Sequence, residues 1–335
     1  MSREKKYMNF WNKLPKPFFC LAPMADVTDP AFRRIVAKYD KPDIMWTEFI
    51  SADGLMSDGR KHLNRSLQFS EKERPIVAQL FSANPEKMRG AVKYCVKLGF
   101  DGIDINMGCP DSSVEKQGAG AALMKNPKLA GKIIQAVKDG IKDAKKEYHI
   151  NRPISISVKT RAGYNKENID EWIPFLLSQN IDVLTIHART RRDMSKVPAN
   201  WDYVKRVVEI RNKMKIKTKI IGNGDVLNLE QGRKLAKETG CDGIMIGRVV
   251  LGNPFLFSEK IPTIQQKLKV LVEHAKLFPK YKSFNLMKKH FKAYVSGFIG
   301  AKELRLKLMQ TNSAKEVETI ISEYIRYLEV RLPDI

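Results

Sequence analysis

The chain has 335 residues and a formal net charge of +23, with 60 Lys and Arg against 37 Asp and Glu. That length accommodates one large domain and a smaller one, and a hydrophobic content of 43% argues against disorder. No apolar run approaches the ~20 residues that cross a bilayer, and the basic segment Met1–Lys16 lacks the apolar core of a secretion signal.

Eight short apolar runs read as strands: Phe18–Ala22, Ile44–Glu48, Ile76–Phe81, Gly102–Asn106, Ile154–Lys159, Val183–His187, Lys219–Gly222 and Gly243–Gly247. Amphipathic stretches alternate with them: Pro30–Tyr39, Pro85–Leu98, Pro127–Tyr148, Asn168–Gln179, Tyr203–Asn212 and Leu229–Thr239. Asp29 before Pro30 and Asn84 before Pro85 supply N-caps with proline in the first turn. Strand and helix alternating in this way predict a (β/α)8 (TIM) barrel, in the α/β class, whose chemistry sits at the C-terminal strand ends. After about Ser258 the strand-like runs stop. Ile264–Leu277, Ser283–Phe298, Ala301–Met309 and Ser313–Leu328 read as helices, giving a barrel over 1–258 and an all-α bundle over 259–335.

Polar residues gather where the strands are expected to end. Asn106 and Cys109 close the run Asp104-Ile-Asn-Met-Gly-Cys-Pro110. Others fall at Pro23-Met24, Gln79, Lys159, His187, Asn223-Gly-Asp225 and Gly247-Arg248. The last two follow strands seven and eight, the phosphate-binding corner of such barrels, where glycine admits backbone N–H groups and arginine adds charge-assisted bonds. Lys159 follows Ile-Ser-Ile-Ser-Val, so it is expected to be buried, and a buried ammonium needs an anionic partner; the alternative is a lysine that snorkels to the surface. A lone histidine is most often structural, yet His187 opens the polar loop His-Ala-Arg-Thr-Arg-Arg. Cys109 is open to three readings: general acid, since an unperturbed thiol with a pKa of about 8.5 is mostly protonated at neutral pH, nucleophile, or inert core residue. Cys20, Cys95 and Cys241 lie within strand or helix patterns and are expected to be buried and inert. No CxxC or metal-ligand spacing is present, which suits reduced thiols in the cytoplasm and no metal. The charge excess points to a polyanion, nucleic acid or anionic membrane surface, unless a lysine-rich composition bias accounts for it.

The ordered motifs resemble the tRNA-dihydrouridine synthase family, closest to its bacterial DusB-type branch. They are Leu21-Ala-Pro-Met-Ala25, Thr28-Asp-Pro-Ala-Phe-Arg33, Pro75-Ile-Val-Ala-Gln-Leu80, Asn106-Met-Gly-Cys-Pro110, Gly118-Ala-Gly-Ala-Ala-Leu-Met124 and Val158-Lys-Thr-Arg-Ala-Gly163. His187-Ala-Arg-Thr-Arg191, Ile221-Gly-Asn-Gly-Asp225, Gly247-Arg248 and the pair His290 and Tyr294 follow, so the likeness runs from about Phe18 to Ser322. Departures are Ala188 for glycine, a small change, and, on the RNA side, Ser195-Lys-Val197 for an aromatic-x-Gly loop and Ser112-Ser113 for a basic pair.

The resemblance implies an FMN-dependent, NADPH- or NADH-driven reduction of the C5–C6 double bond of a D-loop uridine in tRNA. Pro23, Met24, Ala25, Gln79, Lys159, His187, Asn223, Gly224, Asp225, Gly247 and Arg248 would hold the flavin. Asn106, Arg161, Arg189 and Arg191 would face the substrate, and Cys109 would protonate C5. Arg192, Lys288, Lys289 and Lys292 are further expected phosphate contacts, with the helical unit binding tRNA. A monomer in the cytoplasm, with no membrane association and no obligate protein partner, is the expectation. The alternative from the residues alone is an FMN barrel oxidoreductase acting on a free small molecule. A non-catalytic tRNA-binding protein on a dead barrel is a third.

Overall fold

The computed structural model describes residues 9–331, so part of the basic segment Met1–Lys16 and the end of the unit 259–335 lie outside the described residues. Among the described residues eight strands are present: β1 (Phe18–Leu21), β2 (Met45–Ser51), β3 (Ile76–Phe81), β4 (Gly102–Met107), β5 (Ser155–Arg161), β6 (Val183–His187), β7 (Lys219–Asn223) and β8 (Gly243–Ile246). They form one parallel sheet in the order β1-β8-β7-β6-β5-β4-β3-β2. Its two edges meet: Cys20 forms a parallel bridge with Ile44, and the Leu21 N–H donates to the Ile44 carbonyl at 3.1 Å. The sheet thus curls round as the (β/α)8 barrel that strand–helix alternation predicts.

Side chains alternate between the two faces of each strand, and the inward row changes character along the barrel. At the N-terminal end Trp11, Phe18, Cys20, Trp46, Val77 and Val183 form an apolar cluster, which the Trp11 indole joins by donating to Ser155 Oγ. Further along, the inward residues are polar: Gln79, Asp104, Asn106, Ser157, Lys159 and Thr185. The outward faces pack on the surrounding helices in a separate, larger core.

Asp29 caps the helix Pro30–Tyr39 by accepting from the Phe32 N–H at 3.0 Å, and Asn84 caps Pro85–Leu98 through the N–H groups of Glu86 and Lys87. Three short helices went unread in the sequence: Ala52–Leu55, Arg60–Ser66 and Ser112–Glu115. None is long enough to show a period. β5 runs two residues past Lys159 because Lys159, Thr160 and Arg161 stay in register with Thr185, Ile186 and His187. Gln79 likewise lies inside β3 rather than at its end.

The helices Ile264–Leu277, Lys288–Tyr294, Ala301–Leu308 and Ala314–Arg331 follow the barrel. The single helix expected over Ser283–Phe298 is corrected to a 3-10 turn, Phe284–Met287, and the helix Lys288–Tyr294. It stops there because Arg305 of the next helix takes the Val295 carbonyl at 2.7 Å and Gly297 turns to φ +79°. These helices share an apolar cluster that includes Ile35 of the barrel. His290 and Tyr294 are buried at that junction: the His290 ring lies 5.5 Å from Phe32 and 4.6 Å from His274. Among the described residues no helix is long and apolar enough to cross a membrane.

Candidate active site at the barrel mouth

A cavity of about 280 Å³ opens at the C-terminal ends of the strands. It gathers fourteen of the sixteen expected site residues: Pro23, Met24, Gln79, Asn106, Cys109, Lys159, Arg161, His187, Arg189, Asn223, Gly224, Asp225, Gly247 and Arg248. Two stand apart. Ala25 is exposed, because the chain turns outward into Asp26 at φ +53°. Arg191 does not line the cavity: its guanidinium pairs with both Glu115 oxygens and lies over the Tyr164 ring, tying the loops after β4, β5 and β6 together. Phe49, Ser195 and Met245 line the cavity unforeseen. Phe49 belongs to the stretch of β2 beyond the expected strand, and Ser195 to a loop without periodicity.

On the β4 side the Cys109 loop is pinned. Asn106 Oδ1 accepts from the N–H groups of Gly108 (3.0 Å) and Cys109 (2.8 Å), and the Cys109 carbonyl accepts from the Ala121 N–H at 2.9 Å. Gly120, at φ +60°, brings its backbone against that carbonyl, and a Cβ there would lie 2.9 Å from the oxygen. Arg161 donates Nε to the Gly108 carbonyl at 2.7 Å, and its Nη1 to the carbonyls of Thr190 and Met194. Burial pushes the Cys109 thiol up, so it is protonated at neutral pH. Cys20, Cys95 and Cys241 are buried.

Lys159 points inward from β5 and donates to Asn223 Oδ1 at 3.0 Å. Burial, with Arg161 nearby, lowers its amine to about 8. No carboxylate pairs with it among the described residues, so of three N–H donors it has two left for the cavity. His187 is held neutral, well below its ordinary value, by burial and by the cations Lys159, Arg161 and Arg189.

At the β7–β8 corner Gly224 takes φ +138°, and a Cβ there would sit 2.8 Å from Ala199 Cβ. Asp225 accepts from the Ala199 N–H at 3.0 Å, from Arg189, and from Arg248 at 2.9 Å. Burial opposes its charge, but these donors outweigh burial and hold its carboxyl low. Arg189 is buried, lines the cavity beside the His187–Asp225 corner, and bonds Asp225, the Val197 carbonyl and the His187 ring. Arg248, 66% exposed, bonds Asp225 alone among the described residues, which leaves it further N–H groups to offer.

A sequence model of the dihydrouridine synthase (Dus) family matches residues 20–328. A probable tRNA-dihydrouridine synthase of Staphylococcus aureus is 40% identical over 328 residues, covering 94% of this chain and 95% of that protein. A probable tRNA-dihydrouridine synthase 2 of Bacillus subtilis is 39% identical, with 96% and 98% covered. Among solved structures, histamine dehydrogenase from Rhizobium sp. 4-9 superposes with a TM-score of 0.50 at 12% identity, over 77% of this chain and 48% of its own. A 2-naphthoyl-CoA reductase does so with 0.52 at 11%, over 76% and 51%. The chain thus spans about half the length of these two structures, and their likeness is one of fold. The barrel, the occupied motif positions and near-complete coverage at 40% identity agree: the chain belongs to the dihydrouridine synthase family.

Proposed function

We propose that the cavity binds FMN and a uridine turned out of tRNA, and that Cys109 supplies the proton when the C5–C6 bond is reduced. The observation that carries this reading is a protonated thiol and a half-buried lysine amine, without a carboxylate partner among the described residues, facing one cavity with a basic corner. The residues fit the cofactor. Met24 and Met245 give an apolar wall, Lys159 has spare donors for an electron-rich ring edge, and Gly224, Gly247 and Arg248 offer open backbone and free guanidinium N–H groups to a phosphate. A bound flavin, reduced by NADPH or NADH, would supply hydride to C6 of the uracil.

The chain's own residues do the rest. Lys159 stabilises negative charge in a low-dielectric site where an ammonium counts for more than in water. Asn106 and Arg161 hold the Cys109 loop at the cavity, and the raised thiol pKa would keep the proton on Sγ until C5 takes it. A base stacked in folded RNA cannot reach this depth, so it must be flipped out of its stack. The net charge of +23 suits phosphate contacts to tRNA, and exposed Arg192, Lys289 and Lys292 are available for them. We assign the barrel to 1–258 and tRNA docking to the helical unit 259–335. Three buried, unpaired cysteines suit a cytoplasmic setting.

The test is dihydrouridine content by mass spectrometry after incubating unmodified tRNA with the FMN-loaded protein and NADPH. A D-loop uridine gaining two hydrogens, and losing that gain in Cys109→Ala, is the expected result. A gain that survives in the variant removes Cys109 from the role of acid. No gain on tRNA, with turnover of free pyrimidines, would replace the RNA substrate with a small molecule.

A further inference from the structure

At the floor of the cavity lies a polar row of which Gln79 reaches the lining and Asp104 and Ser157 do not. Gln79, Asp104 and Ser157 are in register on β3, β4 and β5, all facing the barrel interior, and none is more than 1% exposed. Asp104 Oδ1 accepts from Ser157 Oγ at 2.5 Å and Oδ2 from Gln79 Nε2 at 2.6 Å. Gln79 Oε1 accepts from Asn106 Nδ2 at 3.0 Å, and Asn106 Oδ1 accepts from the backbone N–H groups of Gly108 and Cys109.

These bonds all run one way, fixed at one end by a carboxylate that accepts and at the other by backbone N–H groups that donate. An ionised carboxyl accepts and cannot donate. Gln79 must therefore offer its nitrogen to Asp104, which turns its oxygen to Asn106. Asn106 must then offer nitrogen to Gln79, which turns its oxygen to the Cys109 loop. Reversing any rung would set N–H against N–H in a buried place, at the cost of two unpaired groups. A residue kept only to fill this space would be neutral, because burying a charge is costly.

We propose that Asp104 is a positioning residue for Cys109: its charged acceptor anchors the far end of the Gln79–Asn106 ladder and so holds the thiol at the cavity. The proposal rests on the reading of Cys109 as proton donor, and its test does not depend on turnover. The alkylation rate of Cys109 by iodoacetamide is read from peptide masses on the purified flavoprotein without tRNA. Cys20, Cys95 and Cys241 are buried and report unfolding if they label.

Asp104→Asn leaves one acceptor oxygen for two donors, Gln79 Nε2 and Ser157 Oγ, and replaces a charge-assisted anchor with a neutral one. Cys109 alkylation should rise about tenfold, the scale set by losing the backbone bonds that hold its loop. Gln79→Met breaks the rung with the buried carboxylate intact and should do the same. Ser157→Ala removes the other donor to Asp104 without changing the ladder's direction, so the rate should stay within about twofold. Wild-type rates in both Asp104→Asn and Gln79→Met, with the buried cysteines unlabelled, overturn the proposal, and so does an equal rise in Ser157→Ala. If Asp104→Asn labels the buried cysteines, Gln79→Met decides. Loss of dihydrouridine in Cys109→Ala tests the function separately, so either reading can fail without the other.

Discussion

Lys282 joins the helical unit to the rim of the cavity, and its removal gives a measurable signature. Its ammonium lies 3.3 Å from both Glu48 oxygens, 3.5 Å from Asp29 and 3.9 Å from Asp26. The side chains of Lys282, Glu48 and Asp29 are 13%, 8% and 2% exposed. Glu48 also accepts the Asp26 N–H at 2.6 Å, on the turn that follows Pro23 and Met24. Lys282→Met keeps much of the stem's packing and deletes the charge, leaving two buried carboxylates facing each other. A charge pair at this separation is worth roughly 5 kcal/mol at an effective dielectric of 20. The ammonium's own desolvation offsets part, so a loss of about 3 kcal/mol is expected, at the low end for breaking a buried pair. For a chain of this length that lowers Tm by about 4 °C.

The pH dependence fixes the cause. Burial raises the Glu48 carboxyl and Lys282 opposes that rise, so in the variant the carboxyl moves higher still. A carboxyl raised in the fold is most favourable when protonated, and its penalty appears as pH climbs through its folded pKa. The Tm gap between wild type and Lys282→Met should therefore be widest at about pH 8 and shrink by about pH 5. Thermal unfolding followed by circular dichroism at the two pH values measures it. A gap of equal size at both, or none at the higher pH, would refute the electrostatic account.

Two further outcomes concern the cavity itself. Arg248→Ala removes an exposed guanidinium whose one partner, Asp225, keeps Arg189 and the Ala199 N–H; FMN affinity should weaken about tenfold, read by flavin fluorescence titration, with Tm of the flavin-free protein unchanged. With its amine lowered to about 8, Lys159 loses its charge above that pH, so kcat/KM for dihydrouridine formation should fall on the alkaline side. Lys159→Met should be slow and lack that limb, and a variant that retains it would assign the limb to another group.

What the sequence made legible follows from which signals are local. The eight strands are short runs dominated by apolar and β-branched residues, with polar residues such as Gln79, Asp104 and Ser157 only at inward positions, and each was placed to within about three residues. Asp29 and Asn84 announced their helices because capping is decided within a single turn. The polar strand ends were legible for the same reason, since a polar residue closing an apolar run must face the barrel mouth. Long-range consequences stayed hidden. Arg191 shares a motif with Arg189, yet one pairs with Glu115 and the other with Asp225, a division settled by which loops meet. Lys282 lies far along the chain from Glu48, and nothing local announces that they touch. Asp104 stood in the opening motif without a role, although one signal was there: it shares a strand face with Asn106, two residues on, between the core residues Ile103 and Ile105.

That placement has a thermodynamic consequence. Burial pushes the Asp104 carboxyl up to about 6 despite its bonds to Ser157 and Gln79. A carboxyl raised in the folded state contributes stability below the ordinary carboxylate range and loses it as pH rises through about 6. At neutral pH Asp104 is therefore charged, and its charge weighs against the fold. A barrel with a continuous apolar layer outside its strands and an apolar plug at its N-terminal end can carry that cost. The expense falls in the polar layer beneath the cavity, one strand pairing from Lys159 and two residues from Asn106. A carboxylate that destabilises the chain at working pH, yet anchors the amide ladder that leads to Cys109, is what placement of the thiol calls for and packing alone does not.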